Sequence, residues 1–164
     1  MNEMSRRIRN RDRLLELHPH FRARVAGLIK ALQALGFRPR IQDAWRSPEA
    51  QLAAWQAGKS KLQYGFHNVT SGEGKPEALA VDLLDDDYPL NPRQDYLLHL
   101  AAEAQALGLT TGIRWGLPRE RAQLIDRTIA RGRWHAVVKL GWDPCHVEPA
   151  DISVSDARRG KRPA

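Results

Sequence analysis

One cysteine, Cys145, stands alone in 164 residues, so no internal disulfide can form, and a reducing compartment is the expectation. No apolar run approaches the ~20 residues of a membrane span. The start, MNEMSRRIRNRDR, carries Arg6-Arg7, but no apolar stretch follows. That excludes a secretory signal and leaves a chain expected to be cytoplasmic as synthesised. Internal repeats are absent, and nothing marks a second domain. The three adjacent acids Asp85-Asp86-Asp87 lack the spacing of a calcium loop and read as a solvated strand end. The arginine-rich ends come with no zinc-finger or recognition-helix motif, so no nucleic-acid partner is expected.

What is present fits one soluble domain with a core: 42% hydrophobic and 27% charged residues. The formal charge of +7 favours an anionic partner such as cell wall. Residues 1–13 read as a loosely held basic arm, and 153–164 as a basic, disordered tail. Between them, residues up to 152 form the domain.

The helical patterns are clear. Phe21, Val25, Leu28, Ile29, Leu32 and Leu35 recur at three-and-four spacing from Pro19, and Gly36 caps the end. Ser47-Pro48 opens a helix to about Ala57, with Leu52 and Trp55 expected inward. Asn91-Pro92 opens another, with Tyr96, Leu97, Leu100, Ala101, Ala104 and Leu107 on its apolar face and His99 outside it. Pro118 to Arg131 is the last, with Leu124, Ile125 and Ile129 inward. Strands are expected at Phe37–Ala44, Leu79–Leu84, Thr110–Trp115 and Trp134–Leu140. Pro144 rules out a helix in Gly141–Pro149, which reads as a turn feeding a strand.

One acid stands out. Asp82 ends the apolar run Ala78-Leu79-Ala80-Val81, where a carboxylate is costly unless paired. His67, Asp82 and His146 offer two imidazoles and one carboxylate, a donor set zinc takes in catalytic sites with an open position. Such a site needs a base. Asp143 lies three residues before His146, and on a flat strand the two would face opposite ways. They converge only if the chain bends at Pro144. Arg46, between a strand and a helix, can aim its guanidinium at a developing oxyanion. Glu148 shares a strand face with His146 and can orient its imidazole. Cys145 points to the other face and is not a ligand. His18 and His20 belong to a helix entry. His135 competes for a ligand role, and with six histidines spacing alone leaves the set open.

Together these pieces resemble a known family. They are Trp45-Arg46-Ser47 with Gln51, Gly58-Lys59-Ser60-Lys61, Phe66-His67-Asn68, Ala78-Leu79-Ala80-Val81-Asp82-Leu83 and Asp143-Pro144-Cys145-His146-Val147-Glu148. The chain resembles the zinc D-Ala-D-Ala carboxypeptidases and phage L-alanyl-D-glutamate endopeptidases of the Hedgehog/D-Ala-D-Ala peptidase fold group. The resemblance runs from Ile41 to Glu148. It implies an α+β fold, with a small antiparallel sheet carrying the zinc site and several helices packed around it. It also implies Zn2+ on His67, Asp82 and His146, Asp143 as general base and Arg46 as transition-state stabiliser.

The implied substrate is the peptide stem of peptidoglycan, cut either between L-Ala and D-Glu or at terminal D-Ala. The implied setting is a monomeric phage-type endolysin that meets the wall after release. The alternative is a non-catalytic, zinc-stabilised wall-binding module, against which Asp143 speaks because a structural site needs no base. Two features depart from the family pattern. Gly65 stands where a serine is usual, and fourteen residues separate His67 from Asp82. The 69–77 loop is therefore expected beside the cleft, shaping specificity, and 116–140 as a wall or lid.

Overall fold

A computed structural model describes residues 1–164. In chain order the elements are α1 (Glu3–Leu14), α2 (Pro19–Ala34), β1 (Pro39–Asp43), α3 (Pro48–Gln56), a 3-10 turn (Phe66–Asn68), β2 (Val81–Asp85), α4 (Gln94–Ala106), β3 (Leu109–Gly112), α5 (Arg119–Ala130), β4 (Asp143–Pro149) and α6 (Val154–Arg158). The fold is α+β. Its four strands form one antiparallel sheet in the order β1-β2-β4-β3. No helix is long and apolar enough to cross a membrane.

Period-two alternation gives the sheet two different faces. Val81 and Leu83 of β2 and Val147 of β4 are fully buried and join the core with Phe21, Val25, Leu28 and Leu32 of α2 and Leu97, Leu98 and Leu100 of α4. Tyr96 is buried too, and its hydroxyl donates to the Leu83 carbonyl at 2.9 Å, so the phenol is not left unpaired. The opposite parity carries Asp82 and His146, which are direct cross-strand partners.

Several expectations need correction. Residues 1–13 are not a loose arm. They form α1, whose Asn10 takes the place of a neighbouring strand along β1: its amide donates to the Pro39 carbonyl at 2.9 Å and accepts from the Ile41 N–H at 2.8 Å. Arg9 adds bonds to the Ile41 and Gln42 carbonyls at 2.8 and 2.7 Å. This covers an edge that would otherwise expose unpaired backbone groups. The tail is ordered as well. Ser153 caps α6, and Arg162 reaches Glu77 at 3.0 Å and the Thr70 carbonyl at 2.8 Å.

Trp134–Leu140 is not a strand. Gln94 bonds both the N–H and the carbonyl of Val138, so that backbone needs no strand partner. His99 is not simply exposed, because it stacks on Trp134 at 3.9 Å. In α3 the buried residue is Gln51, while Leu52 and Trp55 are exposed, as is Leu124 of α5. The helix expected from Asn91-Pro92 starts at Gln94, without a side-chain cap. Asp85 and Asp86 are buried rather than solvated, and Arg40 pairs with Asp86 at 2.9 Å.

Candidate metal centre

The site sits where β2 and β4 meet the 3-10 turn. Asp82 lies opposite His146 in register, so two of the expected ligands are neighbours by strand pairing. His67 arrives from the 3-10 turn, which is fastened to the chain after β1. The Arg46 N–H donates to the His67 carbonyl at 2.9 Å, and the Asn68 amide donates to the Arg46 carbonyl at 3.0 Å. Asn68 also accepts from the Gly65 N–H at 2.7 Å, closing the turn that presents the histidine.

The nitrogens of His67 and His146 and an oxygen of Asp82 all lie within 4.8 Å of one another. Asp82 Oδ1 is 3.6 Å from His67 Nε2 and 3.4 Å from His146 Nδ1. Bonds of ~2.0–2.2 Å in a tetrahedron put ligand atoms about 3.4 Å apart, so these edges suit a small divalent metal. The far nitrogens are held too. His67 Nδ1 bonds the Ala44 carbonyl, and His146 Nε2 lies 2.9 Å from Glu148 Oε2. Such outer partners fix the tautomer and aim the other nitrogen, the usual arrangement of a metal-ligating histidine. The group is therefore positioned to bind a metal.

The electrostatics agree. Burial would raise the Asp82 carboxyl, yet bonds from His146 and His67 bring it well below the usual range. Burial would lower His146, but Asp82 and Glu148 push it up to about 9. Asp143 is raised, first by burial and then by the Asp82 charge.

The bend required between Asp143 and His146 is present. Thr111 pairs with Val147, but the next residue, Gly112, pairs with Asp143, so Pro144, Cys145 and His146 bulge out of the β3–β4 ladder. Asp143 and His146 thereby line one cleft despite their odd spacing. Two glycines permit this crossing. A Cβ on Gly112 would lie 2.1 Å from the Asp143 carbonyl oxygen, and one on Gly141 would lie 2.5 Å from the Gly112 oxygen and the Trp115 nitrogen.

The cleft holds about 630 Å³ and also brings in Arg46 and Glu148. Arg46 is clamped, by Asp43 at 2.9 Å and by Gln51 at 3.0 Å. Gln51 in turn bonds Ser60 at 2.8 Å and the Leu62 carbonyl. Cys145 faces the core with its thiol pushed up to about 12 by burial, so it is no thiolate ligand. His135 is exposed on a separate segment, and neither it nor His18 nor His20 belongs to the cluster.

Asp43, Trp115 and Trp142 were not read as site residues from the sequence, and Gln51 and Asn68 were read only as parts of motifs. Gln51 had a usable signal, a long polar side chain three residues into a helix that opens beside Arg46. The 69–77 loop, expected to shape specificity, and 116–140, expected as a wall or lid, lie elsewhere, and none of either lines the cleft. The 69–77 loop faces Leu17, Pro19 and Arg22, and 119–130 is α5, next to α4.

No family model and no curated protein matches the chain. Among solved structures, it is similar to the L-Ala D-Glu endopeptidase ChiX of Serratia marcescens, with 17% identity, 86% of each chain covered and a TM-score of 0.47. It is also similar to a mutant of the vancomycin-resistance D,D-pentapeptidase VanY from a VanB-type cassette, in complex with Zn(II). There the identity is 16%, with 87% of this chain and 76% of that one covered and a TM-score of 0.43. Likeness this distant assigns no chemistry to the site, whose own geometry has to carry the reading.

Proposed function

We propose that the chain is a zinc-dependent peptidase that hydrolyses a peptide bond in the stem of bacterial peptidoglycan. The observation that carries this is the convergence of His67, Asp82 and His146, each imidazole held from behind, in a cleft shared with the raised carboxyl of Asp143.

Three protein ligands leave a position open for chemistry, the mark of a catalytic rather than a structural zinc site. A zinc ion there supplies Lewis acidity, making water nucleophilic near neutral pH and polarising a carbonyl. Asp143 accepts the proton of the attacking water as its oxygen bonds the carbonyl carbon. Asp143 then returns that proton to the leaving nitrogen when the C–N bond breaks. Arg46 supplies positive charge for the oxyanion, and Asp43 and Gln51 hold its guanidinium ready. Glu148 keeps His146 oriented. A net charge of +7 favours approach to an anionic wall, as an endolysin requires.

The test is the clearing of permeabilised Gram-negative cell walls by the zinc-loaded chain, its chelated form and Asp143→Ala. Clearing is expected from the first alone. Clearing at full rate by Asp143→Ala would overturn the mechanism.

A further inference from the structure

Trp142 is 70% exposed, yet it is rigidly mounted. Its backbone N–H donates to the Trp115 carbonyl at 3.2 Å, and the preceding Gly141 N–H donates to the Ile113 carbonyl at 2.6 Å. Its indole lies over Gly116, at φ +75°, where a Cβ would come within 3.0 Å of Cδ1. The ring is thus seated on a glycine, with one flank against Trp115 at 5.2 Å and 45°. Trp115 is itself 5.0 Å from the His146 ring, and both tryptophans line the cleft. Leaving an aromatic so exposed has no folding benefit, and fixing it reduces the entropy cost of stacking a ligand on it.

The place of this ring selects its ligand. Arg46 follows β1 and Trp115 follows β3, the two outer strands, so the cleft crosses the whole sheet. Three inter-strand gaps span on the order of 14 Å, room for about four extended residues. The indole sits only one ring beyond Trp115, so what it touches lies about two or three residues from the scissile bond. Its outer half faces solvent, which fits a group that continues into a polymer outside the cleft. In a peptidoglycan stem that group is the hexosamine bearing the peptide. A pyranose offers a flat C–H face to an indole and hydroxyls to its polar edge.

We propose that Trp142, backed by Trp115, is a platform for the amino sugar at the head of the stem, placing the cut at the sugar-proximal end. This rests on the peptidase reading above. A D-Ala terminus four or five residues from the sugar would leave the platform empty.

The test compares hydrolysis of a muramyl stem peptide with that of the same peptide N-acetylated and sugar-free, by zinc-loaded wild type, Trp142→Ala and Trp142→Phe. An aromatic contact of this kind is expected to give wild type a preference of about tenfold in kcat/KM for the sugar-linked peptide, mostly through KM. Trp142→Ala should bring that ratio to about one, and Trp142→Phe should restore most of it. A ratio that survives in Trp142→Ala overturns the platform, because a merely structural loss lowers both substrates equally.

Indole fluorescence titrated with muramyl peptide separates the two readings. Saturable quenching in wild type but not in Trp142→Ala, without any hydrolysis, keeps the platform and removes the peptidase. Hydrolysis with no sugar preference removes the platform alone. Neither hydrolysis nor quenching removes both.

Discussion

At the scale of single residues, the candidate site turns on one imidazole held between two carboxylates. His146 titrates at about 9 because Asp82 and Glu148 flank it, so a metal arriving at neutral pH must displace the proton of that imidazole. Calorimetry of zinc binding in buffers of different ionisation enthalpy should find protons released near pH 7, since His146 must give up its own. No release there would contradict the assignment. The sign for the metal-free chain follows from the same shift. A raised folded pKa stabilises fully below the ordinary histidine value of 6.5, and that contribution is lost as pH rises through about 9. Apo stability measured by urea unfolding should fall across this window, and His146→Gln should flatten the fall.

Asp143 makes a separate residue-scale prediction. Removing a general base costs typically 10²–10⁴-fold, so Asp143→Asn should lose about that much kcat while zinc content stays at the wild-type level. Zinc lost together with activity would make Asp143 a ligand rather than a base. His67→Ala and His146→Ala should instead lose metal.

At the scale of elements, the β4 bulge and the covered edge of β1 do most to place the site. The bulge depends on Gly112, whose Cβ position is blocked by the Asp143 backbone 2.1 Å away. Gly112→Ala must push that backbone aside, at an overpacking cost of roughly 1–3 kcal/mol, and carry Asp143 out of line. Lower urea midpoints with a larger fractional loss of activity are expected; a normal midpoint and normal activity would show that the crossing is looser. Asn10→Ala should cost about 1–3 kcal/mol, because the Ile41 N–H loses its side-chain partner and the Pro39 carbonyl keeps only Arg6, at 3.4 Å. A loss near zero would fit a loosely held arm instead.

These two elements also mark where sequence reading succeeded and where it stopped. The amphipathic periods of α2 and α4 and the Ser47-Pro48 start of α3 were plain, since local chemistry decides them. The bend at Pro144 was visible only as a requirement of the site. The role of α1 was hidden because polar residues, not apolar ones, dock it: Arg6 and Asn10 are its buried residues. Trp134–Leu140 has strand composition, but the Gln94 side chain takes its backbone bonds.

At the scale of the whole molecule, the convergence of His67, Asp82 and His146 was legible because a carboxylate after an apolar run needs partners, and the fold brings them. What surrounds the ligands was less legible. The 69–77 hairpin and the tail, far apart in sequence, are tied by Arg162. The cleft wall takes Val154 from that tail, with Trp115 and Trp142, set by a backbone crossing that no local pattern announces.

The central claim is metal-dependent hydrolysis of the stem with Asp143 as base. Mass analysis of muropeptides from purified sacculi tests it most directly, after incubation with zinc-loaded, chelated and zinc-restored chain and with Asp143→Ala. New stem fragments, together heavier by one water than their parent, should appear with the loaded and restored chain only. Their absence from the loaded wild type, or their appearance at equal rate with Asp143→Ala, would contradict the account.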